Sequence, residues 1–205
     1  MKAAFLMAGH NPSYARIMVA SVKRTMGCEV VQMSDKHTPQ VPGTDYVQRI
    51  PFIDPLMCFR FQHIIAMGEG DLLLLDSDTV VKESVEHVFD KDFDVALTKR
   101  PVRVNVPIHI PYNSGVMFSR GPKFWEDCLA HTRTLDDNAQ RWYADQVAIA
   151  HVAEAGKYNV LELQCEDYNW SPTSKEDVSD AKIWHFKGST RKGWMQDLQS
   201  AYGFG

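Results

Sequence analysis

The chain has 205 residues, 44% hydrophobic and 23% charged, a globular composition and a length that fits one ordinary domain with a sizeable core. A formal net charge of −4 gives no general attraction to polyanions, and the sequence carries no nucleic-acid-binding motif, so no nucleic-acid partner is expected. Cys28, Cys58, Cys128 and Cys165 lie far apart without CxxC spacing; they read as reduced core residues, which excludes a disulfide framework or cysteine zinc site and points to a reducing compartment.

The start, MKAAFLMAGHN, has an apolar run too short for a signal-peptide core. No stretch approaches the roughly 18 apolar residues of a membrane span. A cytoplasmic chain without a transmembrane segment is therefore expected. Residues 2–8 (KAAFLMA) predict a buried strand, and GHNPS supplies a turn with Ser13 as helix cap. The helix YARIMVASVKRTM follows, with Ile17, Val19, Ala20, Val22 and Met26 facing inward. CEVVQM predicts a second strand, and a loop at Pro39–Gly43 separates it from a weak strand, DYVQRI. A helix over LMCFRFQHIIAM, closed by Gly68 and Gly70, leads into LLLL.

Beyond that point FDVALT and SGVMFS predict strands, PKFWEDCLAHT and RWYADQVAIAHVAEAG helices, and YNVLELQ and KIWHF late strands. There is no internal repeat or linker, so residues 1–205 are expected to form a single domain. Alternation of strand and helix predicts an α/β fold with a Rossmann-like, mostly parallel central sheet flanked by helices. The most irregular stretch is RPVRVNVPIHIPYN, and long loops of this sort are often functional.

The stretch most informative about chemistry is DLLLLDSDTV, residues 71–80. A continuous apolar run of strand length reads as a central strand buried on both faces. Ligands of open parallel sheets bind outside the carboxyl ends of the strands, where Asp76 and Asp78 fall. Residues two apart on a strand point the same way, so both carboxylates can meet one cation, which relieves the repulsion between them. An acidic turn facing water is the plain alternative. Two families use such a pair: haloacid-dehalogenase-type phosphatases, in which the first aspartate (here Asp76) is a nucleophile, and GT-A type nucleotide-sugar glycosyltransferases, in which the pair binds a metal. The phosphatase pattern usually sits on the first strand and needs a downstream acidic pair at a strand end. Here 75 residues precede the motif, and the one such pair, Asp136 and Asp137, falls in a polar connection.

Several further stretches resemble glycosyltransferase family eight, the group of glycogenin and bacterial galactosyl- and glucosyltransferases. NPSYARIMVASVKR is similar to its first helix, FRFQHI to its Tyr-Tyr-Arg-Leu segment, YNSGVMFS to its Asn-Ala/Ser-Gly-Val strand and ADQVAIA to its Asp-Gln-Asp helix. YNW and WHFKGSTRKGW resemble its Tyr/Trp-Asn and His-Phe-x-Gly-x-x-Lys-Pro-Trp motifs. They occur in family order over nearly the whole chain.

The resemblance implies that Asp76, Asp78 and His185 bind a metal. Two carboxylates and an imidazole suit Mn²⁺ better than Mg²⁺, which stays the alternative. It further implies a nucleotide-diphosphate sugar donor, a UDP-hexose, and an acceptor that the sequence does not identify. Lys192 would neutralise the leaving diphosphate, Gly188 would let the backbone approach it, and Asp145 would hold donor hydroxyls. Gln146 would lie near the anomeric carbon in a retaining reaction. His10, Asn11, Tyr14, Arg60, Ser77, Asn113 and Ser114 would contact the donor, with Tyr14 against the base and Gly115 letting the sugar lie against the backbone.

One residue is inserted before Lys192 and Gly193 replaces the family's proline, so Lys187, Arg191 and Lys192 all remain candidates for the phosphate. Lys99, Arg100 and Arg103 are candidates for an acidic acceptor, or form a solvated basic loop. The end AYGFG reads as that of a minimal catalytic domain, with Trp194, Tyr202 and Phe204 as a lid or as packed surface. A nucleotide-sugar-binding module without catalysis is a third reading.

Overall fold

The computed structural model describes the chain except residues 10, 52–55, 102–108, 136–142 and 203–205. The first half runs β1 (Lys2–Leu6), α1 (Ser13–Thr25), β2 (Glu29–Ser34), β3 (Tyr46–Arg49), α2 (Leu56–Met67), β4 (Leu72–Leu75) and β5 (Thr79–Val81). A 3-10 turn at Glu86–Asp90 leads to β6 (Val95–Lys99), β7 (Tyr112–Ser119), α3 (Lys123–Thr132) and α4 (Ala144–Glu154). The chain then forms β8 (Val160–Gln164), the short α5 (Cys165–Tyr168), β9 (Ile183–His185) and α6 (Ser189–Tyr202).

Seven strands form one sheet in the order β3-β2-β1-β4-β7-β6-β8, and β5 pairs with β9 in a separate ribbon. β1, β2, β3 and β4 are mutually parallel where they pair, and β8 is parallel to β6. β7 is antiparallel to both β4 and β6. The mixed sheet flanked by helices is the expected architecture. Its one reversed strand follows from the connection: no helix in the described residues crosses from β6 to β7, and a parallel neighbour requires such a crossover.

The leucine run serves both faces of the sheet. Leu73 and Leu75 join the core beneath α1, with Phe5, Ile17 and Val22, whereas Leu72 and Leu74 join the core that includes Phe61, Trp125 and Ile149. Side chains alternate along a strand, so an unbroken apolar run is what a strand covered on both sides demands. All four cysteines are buried and free. Among the described residues no helix is long and apolar enough to cross a membrane.

Several local expectations are corrected. Ser13 is the first residue of α1 and does not cap it; Asn11 does the equivalent work, its Oδ1 accepting from Ser13 N at 3.1 Å and Ser13 Oγ at 2.7 Å. β7 begins at Tyr112, two residues before the predicted strand. α6 was not expected, because the cluster of basic and small residues from 187 to 193 masks a helix whose Met195 is fully buried and whose Trp194 and Leu198 pack on the core. Trp194 is therefore packed rather than a lid. Arg103, Asp136, Asp137, Phe204 and the side chain of Tyr202 lie outside the described residues.

Candidate metal and sugar-transfer site

Asp76 and Asp78 stand in the turn between β4 and β5, and each is tied to a different neighbour. Asp76 N donates to Gly115 O of β7 at 2.8 Å, and Phe186 N, just after β9, donates to Asp78 O at 2.9 Å. Thr79 closes the turn, its Oγ1 donating to Asp76 O at 2.9 Å. Pairing of Thr79 with His185 across the β5–β9 ribbon then brings the imidazole to the acids, 107 positions along the chain from Asp78.

The three side chains converge. His185 Nε2 lies 3.2 Å from Asp78 Oδ1 and 3.5 Å from Asp76 Oδ2, and one ligand atom from each residue fits within 4.8 Å of the others. Asp78 and His185 are buried and Asp76 is half-buried. The other ring nitrogen, Nδ1, lies 2.8 Å from Asn169 Oδ1. The Asn169 amide is oriented by its own Nδ2, which donates to Thr98 Oγ1 at 2.7 Å and Asn113 O at 3.3 Å. An acceptor oxygen at Nδ1 places the proton there and turns the Nε2 lone pair toward the two carboxylates. Only a positive centre between them, a proton or a metal ion, makes that arrangement attractive. The donor set therefore fits a divalent cation.

Cations surround the cluster. Arg60 Nη1 donates to Asp76 Oδ1 at 3.0 Å, and Lys192 Nζ donates to Asp78 Oδ2 at 3.2 Å. Burial works to raise the Asp78 pKa, but the His185 hydrogen bond and charge, with Lys192, outweigh it and hold the carboxyl below its ordinary value. Asp145 responds the other way: burial raises its pKa against the Arg60 charge and the Ser114 hydrogen bond, and the nearby Asp76 adds to the rise. Among the described residues, the buried Asp145 Oδ1 and Arg60 Nε and Nη2 find no hydrogen-bond partner. Unsatisfied groups of this kind are costly in a core and are commonly completed by a ligand or water.

A bulge shapes the β7 side. The β6–β7 register runs from Leu97↔Met117 directly to Thr98↔Asn113, so Ser114, Gly115 and Val116 have no partner on β6. Thr98 Oγ1 bridges the gap, 2.9 Å from Asn113 O and 3.1 Å from Val116 O. Gly115 faces the imidazole: a Cβ there would lie 2.1 Å from His185 Cε1 and 3.1 Å from Asp76 Oδ2. The absent side chain at Gly115 thus makes room for His185.

The remaining expected residues divide. Tyr14, Asn11, Ser77 and Lys192 line a cleft of about 280 Å³ with Leu6 and Ala8 at the end of β1, and Lys192 Nζ sits 5.5 Å from the centre of the Tyr14 ring. Asn11 is there, but its Oδ1 is engaged by Ser13. Gly188 precedes α6 with φ +83°, a conformation suited to glycine, and its carbonyl accepts from Lys192 N. Gln146 is half-buried and accepts from Arg100 Nη2. Asn113 is buried, its Oδ1 accepting from Gly115 N at 3.1 Å. Arg191 is taken up by Pro172 O and Lys187 O, and Lys192 is paired with Asp78. His10 lies outside the described residues.

Sequence reading missed Thr98 and the role of Asn169. Asn169 stood in view within YNW, but its work depends on a residue 16 positions away, and no local pattern reports it.

No protein-family model and no curated protein sequence matches the chain. Solved structures do match. An active-site mutant of LgtC aligns over 98% of this chain and 96% of its own, with TM-score 0.61 and 13% identity. The galactosyltransferase LgtC in complex with donor and acceptor sugar analogs aligns over the whole of both chains, with TM-score 0.59 and 13% identity. The glycosyltransferase GlyE of Streptococcus pneumoniae TIGR4 aligns over all of this chain and 64% of its own, with TM-score 0.59 and 15% identity. The fold is therefore one that glycosyltransferases share.

Proposed function

We propose that the chain is a metal-dependent glycosyltransferase of the family-eight kind, acting as one catalytic domain that moves a hexose from a UDP-sugar to an acceptor. The observation that carries this reading is the meeting of Asp76, Asp78 and His185 around one point at the carboxyl end of β4, in a fold shared with glycosyltransferases. A phosphatase with Asp76 as nucleophile would leave His185 without work, and a binding module alone would not need Lys192 beside the acids. The buried free cysteines support a cytoplasmic setting.

Asp76, Asp78 and His185 would hold Mn²⁺, or Mg²⁺ in its place, which when bound supplies Lewis-acid stabilisation to the departing diphosphate. Lys192 then leaves Asp78 and turns its ammonium to the phosphate oxygens, adding charge neutralisation where negative charge develops. Tyr14 lies under the base in the same cleft, with Asn11, Ser77 and, by the resemblance, His10 around it, and Gly188 keeps the backbone close. Arg60 offers its unpaired Nε and Nη2 to the donor, and Asp145, steadied by Ser114, accepts from sugar hydroxyls. Gln146, held by Arg100, faces the reacting carbon; an amide is a poor nucleophile, so retention proceeds by attack on the face the leaving group departs from, through an oxocarbenium-like state. The two-carboxylate geometry of glycosidases is not needed.

Calorimetric titration with UDP, with and without Mn²⁺, tests the reading. UDP is expected to bind only with the metal, and Asp78→Ala is expected to abolish that binding and any donor hydrolysis while leaving the protein folded. Manganese-stimulated turnover retained in Asp78→Ala would overturn the site.

A further inference from the structure

A second cleft, of about 270 Å³, adjoins the cluster. The acids and His185 lie between the two clefts: Asp78 touches Lys192 of the first, and His185 touches Asn169, which lines the second. Arg100 and Lys187 line this second cleft, with Glu166 as its one acidic side chain among the described residues. Both cations act electrostatically on the buried Cys165 at its wall. The half-buried Trp170 contributes an aromatic surface, braced by Trp184 at 5.0 Å between ring centres, and Ser171 Oγ is buried there with no hydrogen-bond partner among the described residues. Arg100 also links the cleft to Gln146.

We propose that this cleft receives the acceptor, and that the acceptor is a saccharide bearing an anionic substituent, a phosphate or a carboxylate. The inference rests on the transferase reading above. An aromatic face suits the C–H face of a sugar ring, an orphan hydroxyl suits a sugar hydroxyl, and a guanidinium with an ammonium suits an anion that a neutral sugar would not supply. With the donor in the Tyr14 cleft, this position sets the acceptor across the cluster, beside Gln146. It also divides the basic residues of the WHFKGSTRKGW stretch, Lys192 serving the donor and Lys187 the acceptor.

Protein-detected NMR titration of the intact chain tests this with four probes at matched ionic strength: glucose, glucuronate, glucose 6-phosphate and inorganic phosphate. Glucuronate or glucose 6-phosphate is expected to shift the Trp170 indole and the Arg100 and Ser171 amides with affinity at least about fivefold above that of glucose; whichever binds tighter identifies the substituent. Lys187→Gln is expected to reduce that preference to within about twofold while glucose shifts persist, which reports that the variant is folded. Equal affinity for glucose and both anionic sugars overturns the proposal, as do inorganic phosphate binding as tightly as glucose 6-phosphate, shifts confined to the Tyr14 cleft, or an unchanged preference in Lys187→Gln. UDP with Mg²⁺, which is diamagnetic and does not broaden the signals near it, is added to the same sample and is expected to shift Tyr14 and Ser77. Its silence overturns the transferase reading, whereas its success without any anionic preference overturns only the assignment of this cleft.

Discussion

Strand β4 carries an aspartate–arginine pair at each end, and the two pairs are built for different purposes. At the amino end Asp71 lies 3.4 Å from Arg120, with side chains 42% and 32% exposed. At the carboxyl end Asp76 lies 3.0 Å from Arg60, whose side chain is only 7% exposed. Arg120 also donates to Phe89 O and lays its guanidinium over the Phe93 ring, so that its charged head is engaged on both its edge and its face. Arg60 keeps two buried nitrogens without a partner among the described residues. An exposed pair contributes little and harms nothing, whereas unfilled donors on a buried cation detract from stability until something binds them. The same two residue types therefore set the amino end of the strand apart as scaffold from the carboxyl end as candidate site.

The largest break in that contrast is expected from Gly115→Ala. Backbone conformation does not forbid alanine there, but its Cβ would overlap the His185 ring, so the imidazole must leave the acids. Metal-dependent UDP binding is expected to fall by more than about 100-fold, as for loss of a ligand, with roughly 1–3 kcal/mol of lost stability from overpacking. Calorimetry and a denaturant melt read the two effects. Retained binding would show that His185 is not a ligand.

Arg60→Met sharpens the comparison, because it removes the charge and keeps most of the volume. Because Arg60 pairs with Asp76 and its charge offsets the burial of Asp145, its removal is expected to lower stability even though its own unmet donors go with it. Donor affinity is expected to fall by about 1.5–3 kcal/mol, roughly 10- to 150-fold, the value of hydrogen bonds to a charged partner. A variant that binds donor normally would reverse the assignment and make Arg60 scaffold.

Asn169→Ala probes support at one remove. The expected loss is about tenfold in metal affinity, the lower end for residues that orient a ligand, since Asp76 and Asp78 remain. Manganese affinity measured directly by electron paramagnetic resonance, without donor, checks it. No change would show that the β5–β9 pairing alone fixes the ring.

How much of this was legible in the sequence follows the same division. The LLLL run announces a strand covered on both faces, and the acids after it announce a site, because each signal is local and periodic. His185 became readable only through the motif around it. Gly115 was visible, but its function depends on which ring approaches it. Thr98 and the β7 bulge depend on a register that no single strand encodes. The reversed direction of β7 goes with a connection that shows no crossover helix among the described residues, and the pattern of strands alone does not show it. β5 has only three residues, too few for a periodicity.

The smallest expected effect is that of Asp71→Ala, the control at the amino end of β4. Asp71 is 42% exposed in its side chain, so solvent screens most of its attraction to Arg120, and Arg120 keeps its contacts with Phe89 O and the Phe93 ring. The backbone carbonyl of Asp71, which accepts from Lys2 N at 2.9 Å, survives the substitution. Stability is expected to change by less than about 0.5 kcal/mol, in the range of exposed ion pairs, and less still at high salt. Metal-dependent UDP binding is expected to match that of the unmodified chain, because the changed carboxylate and the cluster are separated by the whole length of β4. A salt-dependent loss above about 1 kcal/mol would place this pair among the buried kind. It would also remove the contrast between the two ends on which the reading of Arg60 depends.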